Sequence, residues 1–163
     1  MKKIIISAFL TLMLIGVLSG NVAAEPSNAS SFELFWPIVA GKTSGDSTYK
    51  VKILKENLRG LVIFGQVQKA DYAVFLAVKR VVEAEKLTNE GKNDLAGKTL
   101  KAAEAQMVKA NASIDKALAS GTASQNKTTE IKNRLTNLEV FLPSLALKSD
   151  FVLDQVKTLN QKI

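Results

Sequence analysis

The chain of 163 residues contains no cysteine and no histidine. Without cysteine there is no disulfide and no thiolate, and without histidine the common neutral metal ligand and proton shuttle is missing. Disulfide staples, Cys-His nucleophilic sites, histidine-based serine triads and His/Cys zinc sites are therefore excluded together. Carboxylate-only chemistry survives, as in glycoside hydrolysis, which needs two acids facing each other across a cleft. The spacing of the 15 acidic residues suggests no such pair. The chain reads as a non-enzyme, with no catalytic, cofactor-binding or metal-ligating residue expected, and its fold must be held by packing alone.

Charge of one sign is in short supply. Twenty-two basic residues against 15 acidic give a net charge of +7, and 19 of the basic residues are lysines spread along the chain without a dense cluster. Dispersed lysines describe solvated helix faces better than a nucleic-acid groove, so nucleic acid is not an expected partner. An attraction to anionic polymers or lipid headgroups of a cell envelope fits the same charge.

The one long hydrophobic run sits at the N-terminus. Lys2 and Lys3 precede "IIISAFLTLMLIGVL", and Val22, Ala23 and Ala24 supply the small residues that a signal peptidase accepts. Residues 1–24 read as a signal peptide, with export through the cytoplasmic membrane and cleavage near Ala24. The run is short for a bilayer span of about 20 residues, which makes a retained anchor the minor alternative. Residues 25–46 then form an apolar approach segment and loop, and 47–163 a helical bundle domain.

Within that loop, "WPIVAGKTSGD" at residues 36–46 resembles the end of a phosphate-cradling loop at Gly41-Lys42-Thr43. A Walker loop needs an earlier glycine where Trp36 stands, and a strand before it. The expectation is a solvated loop that binds no nucleotide.

Period three-to-four governs the rest. Ala70, Val74, Ala77, Val81, Ala84 and Thr88 form one helical stripe, and Ala96, Leu100, Ala103, Met107, Ala110, Ile114 and Ala117 another, separated by "EGKND". If the two helices turn about Lys92, Ala70 faces Ile114, Val74 faces Ala110, Ala77 faces Met107, Val81 faces Ala103 and Ala84 faces Leu100. Each layer sets one alanine against one larger residue, which lets the backbones approach while the gap is filled.

A third stripe runs from Thr128 through Ile131, Leu135, Leu138, Leu142, Leu145, Ser149, Val152, Val156 and Leu159 to Ile163. Pro143 lies inside it and should kink or break the helix. The fold class expected is all-α, a bundle of four main antiparallel helices near 47–64, 67–90, 94–119 and 125–163. Laid against 94–119, the last helix overhangs its partner. Val152, Val156, Leu159 and Ile163 then need a cover, either the segment "FELFWPIV" at 32–39, which would make Phe35 and Trp36 core, or a second protein or copy.

The first helix has its own stripe, Val51, Leu54, Leu58, Leu61 and Val62, with Asp46 or Ser47 placed to cap it. Tyr49, Lys52, Ile53 and Glu56 lie on its other side. Turned back on the next helix near Gln66, this helix sets Lys52 opposite Arg80, Tyr49 opposite Glu83, and Glu56 one turn from Arg80. The polar set Tyr49, Lys52, Glu56, Arg80 and Glu83 reads as a salt-bridged seam that fixes register, or else as a site for a small charged ligand.

These residues also carry a resemblance. Asp46-x-x-Tyr49-x-x-Lys52-x-x-x-Glu56, followed by Ala77-x-x-Arg80-x-x-Glu83-Ala84, resembles an extracytoplasmic bacterial family catalogued as domain of unknown function 5667. The likeness covers roughly residues 36–118 and implies no substrate or active site. Taken together, the readings point to a secreted or periplasmic, non-catalytic binding or structural module of a bacterial envelope. The alternative is a membrane-surface protein that binds anionic lipid through lysine-rich amphipathic helices.

Overall fold

The structure, a computed structural model, describes residues 30–121 and 125–163. The signal peptide expected at 1–24 lies outside them. Six helices are present among the described residues: α1 (Ser31–Phe35), α2 (Tyr49–Leu61), α3 (Gln66–Asn89), α4 (Asn93–Ala119), α5 (Gln125–Lys148) and α6 (Asp150–Asn160). The fold is an all-α bundle, and among the described residues no helix is long and apolar enough to cross a membrane.

The α3–α4 hairpin is its spine and its most extensive helix pair. Leucine, valine and alanine recur at helical spacing on both strands of the hairpin, and the chain reverses where Gly91 can take φ 73°. There the amide of Gly91 donates to Thr88 and that of Lys92 to Leu87, which closes the end of α3 in a Schellman turn. Ala70, Val74, Ala77, Val81, Ala84, Leu100, Ala103, Met107 and Ala110 are all fully buried. Ile114, the outermost member of the expected layers, is half-buried.

The third stripe does not form one helix against α4. Pro143 neither ends nor breaks α5, which runs through it to Lys148. Both Pro143 and Glu139, whose carbonyl loses its amide partner there, lie on the exposed side, where water can take the freed acceptor. The break comes at Ser149, which is extended at φ −166° and ψ 127°, with Asp150 opening the next helix. An acidic residue in a first turn is stabilised by the helix dipole, so this dipeptide is a natural restart.

That break redirects both halves of the stripe. α5 packs on α3, while α6 folds back along α4. Arg134 and Lys148 reach Asp71 and Glu85 on α3, so α5 runs parallel to α3. Ser149 donates to Asn93 at 3.3 Å and Asn111 donates to the Lys162 carbonyl at 3.0 Å, so α6 runs parallel to α4. Ile131, Leu138, Leu142 and Leu145 are buried, Leu135 partly so, and Thr128 is exposed.

The overhang expected for Val152, Val156, Leu159 and Ile163 therefore does not exist. α4 covers this stripe, and the first three are buried with Ile163 half-buried. The segment 32–39 packs elsewhere. α1 rests on α5 and α3, with Phe35 edge-to-face against Phe141 at 5.5 Å and Asn137 donating to the Leu34 carbonyl at 2.7 Å. Phe35 is core as expected, but Trp36 is not. It is 65% exposed and lies against Phe32 at 4.9 Å.

Candidate functional site

α2 meets α3 through long polar side chains and not by close backbone approach. The expected set of Tyr49, Lys52, Glu56, Arg80 and Glu83 does converge here. Arg80 donates to Glu83 at 2.8 Å and also to Glu56. Lys52 donates to Glu83, and the Tyr49 hydroxyl donates to Glu83 at 3.4 Å. Glu83 has no exposed surface, so these three donors replace the water its carboxylate loses.

Lys79, Tyr72 and the loop carbonyls of Ala40 and Lys42 also join the seam and were not part of the expected set. Lys79 pairs with Glu56 at 2.8 Å. Tyr72 donates to the Glu56 backbone carbonyl at 3.0 Å. Lys52 donates to the carbonyls of Ala40 at 3.3 Å and Lys42 at 2.5 Å, which ties the loop to both helices. The signal for Lys79 and Tyr72 was their spacing from Arg80, one residue and two turns back on the same helix.

Burial sets opposite directions for the two acids. Burial raises the Glu83 pKa and outweighs the bonds from Lys52 and the charge of Arg80. At Glu56 burial also works upward, but Lys79 and Arg80 together overcome it and hold the carboxyl below its usual value. Burial lowers the Lys52 ammonium, against the pull of Glu83. The two acids share one guanidinium, so they sit side by side in a seam and do not face each other across space for a substrate.

The loop "AGKTSG" has the opposite polarity to a phosphate cradle. Its carbonyls at Ala40, Gly41 and Lys42 accept from Lys52 and Lys86, whereas a cradle points amides at its ligand. Lys42 is exposed. Asp46 does not cap α2 with its side chain. It folds back to accept the Thr43 amide at 2.6 Å, a bond that lowers its pKa. The residue at the N-cap of α2 is Thr48, without a side-chain cap bond.

Turning the polar side of α2 inward turns its apolar side out. Val51, Leu54, Leu58, Leu61 and Val62 are 52%, 58%, 55%, 77% and 67% exposed, and Phe64 beyond them is 84% exposed. Beneath α2, a cleft of about 660 Å³ opens towards α4, with Glu56, Gly60, Tyr72, Leu76, Lys109 and Lys116 in its lining. Among the described residues no cluster of acids could hold a metal ion.

No curated protein and no solved structure matches the chain. A family model does match, over residues 41–140, from the Gly41 loop through most of α5. It leaves out α1 and α6, and it reaches past residue 118, where the resemblance read from motifs stopped. The motifs that carried the resemblance fall on α2 and α3, apart from Asp46 in the loop before α2, and the charged side chains they place on the two helices meet in the seam. The chain belongs to the family described as a domain of unknown function, DUF5667.

Proposed function

We propose that the chain is an exported, non-catalytic module of a bacterial envelope that binds through a helix surface. The observation that carries this reading is the inversion of α2. A helix with a strong apolar stripe presents it to solvent and spends its polar side on the bundle. Large contiguous apolar surfaces are seldom left to water and mark sites of association. The alternative orientation is blocked by the seam. Rolling α2 to bury its stripe would withdraw Glu56 and Lys52 and strand Arg80 and Glu83 in the packed interior, a cost of several kcal/mol.

Export rests on the N-terminal pattern of Lys2, Lys3, the apolar run and Val22-Ala23-Ala24. The non-catalytic reading rests on the missing histidine and cysteine and on the side-by-side acids. The test is a photo-crosslinking amino acid in place of Leu58, compared with one in place of Phe151, which is 72% exposed on α6. In the producing cell, adducts at position 58 and none at 151, on a chain found outside the cytoplasmic membrane and starting near Glu25, support the reading. No adduct at position 58, or a chain held in the cytoplasm with its first 24 residues attached, removes it.

A further inference from the structure

Between Asp46 and Asp71 the chain has a single acid, Glu56, and the seam consumes it. The same stretch carries Lys50, Lys55 and Arg59, all exposed. Their placement around α2 is not random. At about 100° per residue, the apolar residues fill an arc of roughly 100°, with Lys50 at one edge and Lys55 and Arg59 at the other. Phe64 and Val62 extend the apolar surface past the helix end into the turn before Gly65.

A helix lying flat in a lipid interface needs this arrangement. Its apolar arc sinks about 5–10 Å to the boundary of headgroups and acyl chains, while cations on both flanks reach anionic headgroups at the level of the helix axis. A second copy of the chain fits the surface less well. Two such faces brought together by a two-fold axis would set Lys50, Lys55 and Arg59 against their own kind, with Glu56, the one acid on α2, already held by Lys79 and Arg80.

We infer that the outer face of α2, from Lys50 to Phe64, docks the protein on an anionic lipid surface, with Leu61, Val62 and Phe64 entering deepest. This rests on the binding-module reading above and names the partner of its surface. The ion-paired seam then has a role in presentation. Arg80, Glu56, Glu83 and Lys52 hold the polar side down, so that the apolar side stays available without a conformational change. The orientation also sets α3 and α4 on the far side of α2 from the lipid.

The full chain is tested by sedimentation with vesicles of phosphatidylcholine alone and of phosphatidylcholine with an equal part of phosphatidylglycerol, at low and high salt. The wild type should partition onto the anionic vesicles and much less onto the neutral ones, with binding that weakens in salt. Lys50→Gln and Lys55→Gln should each lower partitioning about fivefold. Leu61→Ser with Phe64→Ser should lower it at least tenfold, while Phe151→Ser, equally exposed elsewhere, should leave it unchanged. All variants share the same N-terminal run, so differences among them report on α2, and unchanged thermal melts by circular dichroism show that the fold is kept.

Equal partitioning of the wild type and the Leu61/Phe64 variant overturns the lipid assignment, as does a wild type that stays in solution with anionic vesicles. If light scattering then shows a dimer that the same two substitutions dissociate, the face belongs to a second copy and the binding-module reading stands. If the position-58 crosslinker also gives no adduct, both readings fall.

Discussion

Arg80 and Glu56 meet across the boundary between α2 and α3 with almost no exposure, 4% and 9% respectively. Glu56 is the only acid on α2 and Arg80 the only arginine on α3, and the same guanidinium continues to Glu83. One planar fork thus neutralises two carboxylates from two helices, a task for which a lysine point charge is poorly shaped.

Loss of Arg80 should accordingly cost more than loss of either acid. Arg80→Ala leaves Glu83 fully buried with one cation and should destabilise by about 3–5 kcal/mol. Glu83→Ala should cost less, because Lys52 keeps the Ala40 and Lys42 carbonyls and Arg80 keeps Glu56. Urea midpoints rank the two variants, and a double-mutant cycle between Glu56 and Arg80 should show coupling. A reversed ranking with no coupling would mean that the seam does not hold α2.

Packing density gives a second contrast. Ala77→Leu or Ala103→Leu forces a larger side chain into a fully buried layer of the α3–α4 hairpin and should cost about 1–3 kcal/mol. Leu58→Ser, on the outward face of α2, should shift stability by no more than about 0.5 kcal/mol. Wild-type urea midpoints for the alanine variants would contradict the close approach of α3 to α4.

The hairpin was legible because each helix carries one clean stripe and the two stripes complement each other by size. The seam was legible for a different reason. Charged residues of both signs on the facing sides of two successive helices identify a seam, although counting from Gln66 sets Lys52 opposite Arg80, whereas the acid that Lys52 meets is Glu83. What periodicity does not encode is direction. The residues from Ile131 to Ile163 keep one helical register across Ser149, and a stripe reads the same whether the chain continues or doubles back. Lys79 was missed because a single lysine on a helix looks solvated until the partner helix has a position. Trp36 was misread because an aromatic beside a buried Phe35 shares its neighbourhood but not its direction.

The reversal at Ser149 makes a prediction that separates α4 from the N-terminal segment as the cover of α6. Leu159 has no exposed surface, so Leu159→Ala should cost about 2–5 kcal/mol. Trp36 fluorescence should already be red-shifted and open to quenchers in the wild type, and should not move in the Leu159 variant. A tryptophan that shifts on that substitution would place 32–39 over α6 after all.

Lys42 offers a simple check on the loop. Its neighbours' carbonyls are already taken by Lys52 and Lys86, so calorimetric titration with ATP and magnesium should show no saturable binding. Saturable binding abolished by Lys42→Ala would restore the nucleotide reading.

The two seam acids should act on stability in different pH windows. Glu83 has a folded pKa above its ordinary 4.5 because burial favours the neutral form. Its contribution is therefore fully present below that value and is lost as pH rises through the folded pKa. Glu56 has a folded pKa below 4.5, held there by Lys79 and Arg80 against burial. Its contribution is present above 4.5 and lost as pH falls through the folded pKa. Both substitutions to glutamine will change the overall stability, since each leaves cations less well paired, so the slope with pH is the quantity to compare. Glu83→Gln should remove a decline in stability on the side above 4.5 and leave the acid side nearly parallel to wild type. Glu56→Gln should flatten the loss on the side below 4.5 and leave the neutral side parallel. Urea unfolding from about pH 3 to pH 7 measures both slopes. If Glu83→Gln instead flattens the acid side, the bonds from Lys52, Arg80 and Tyr49 outweigh burial, and Glu83 is an anion held in place as firmly as Glu56.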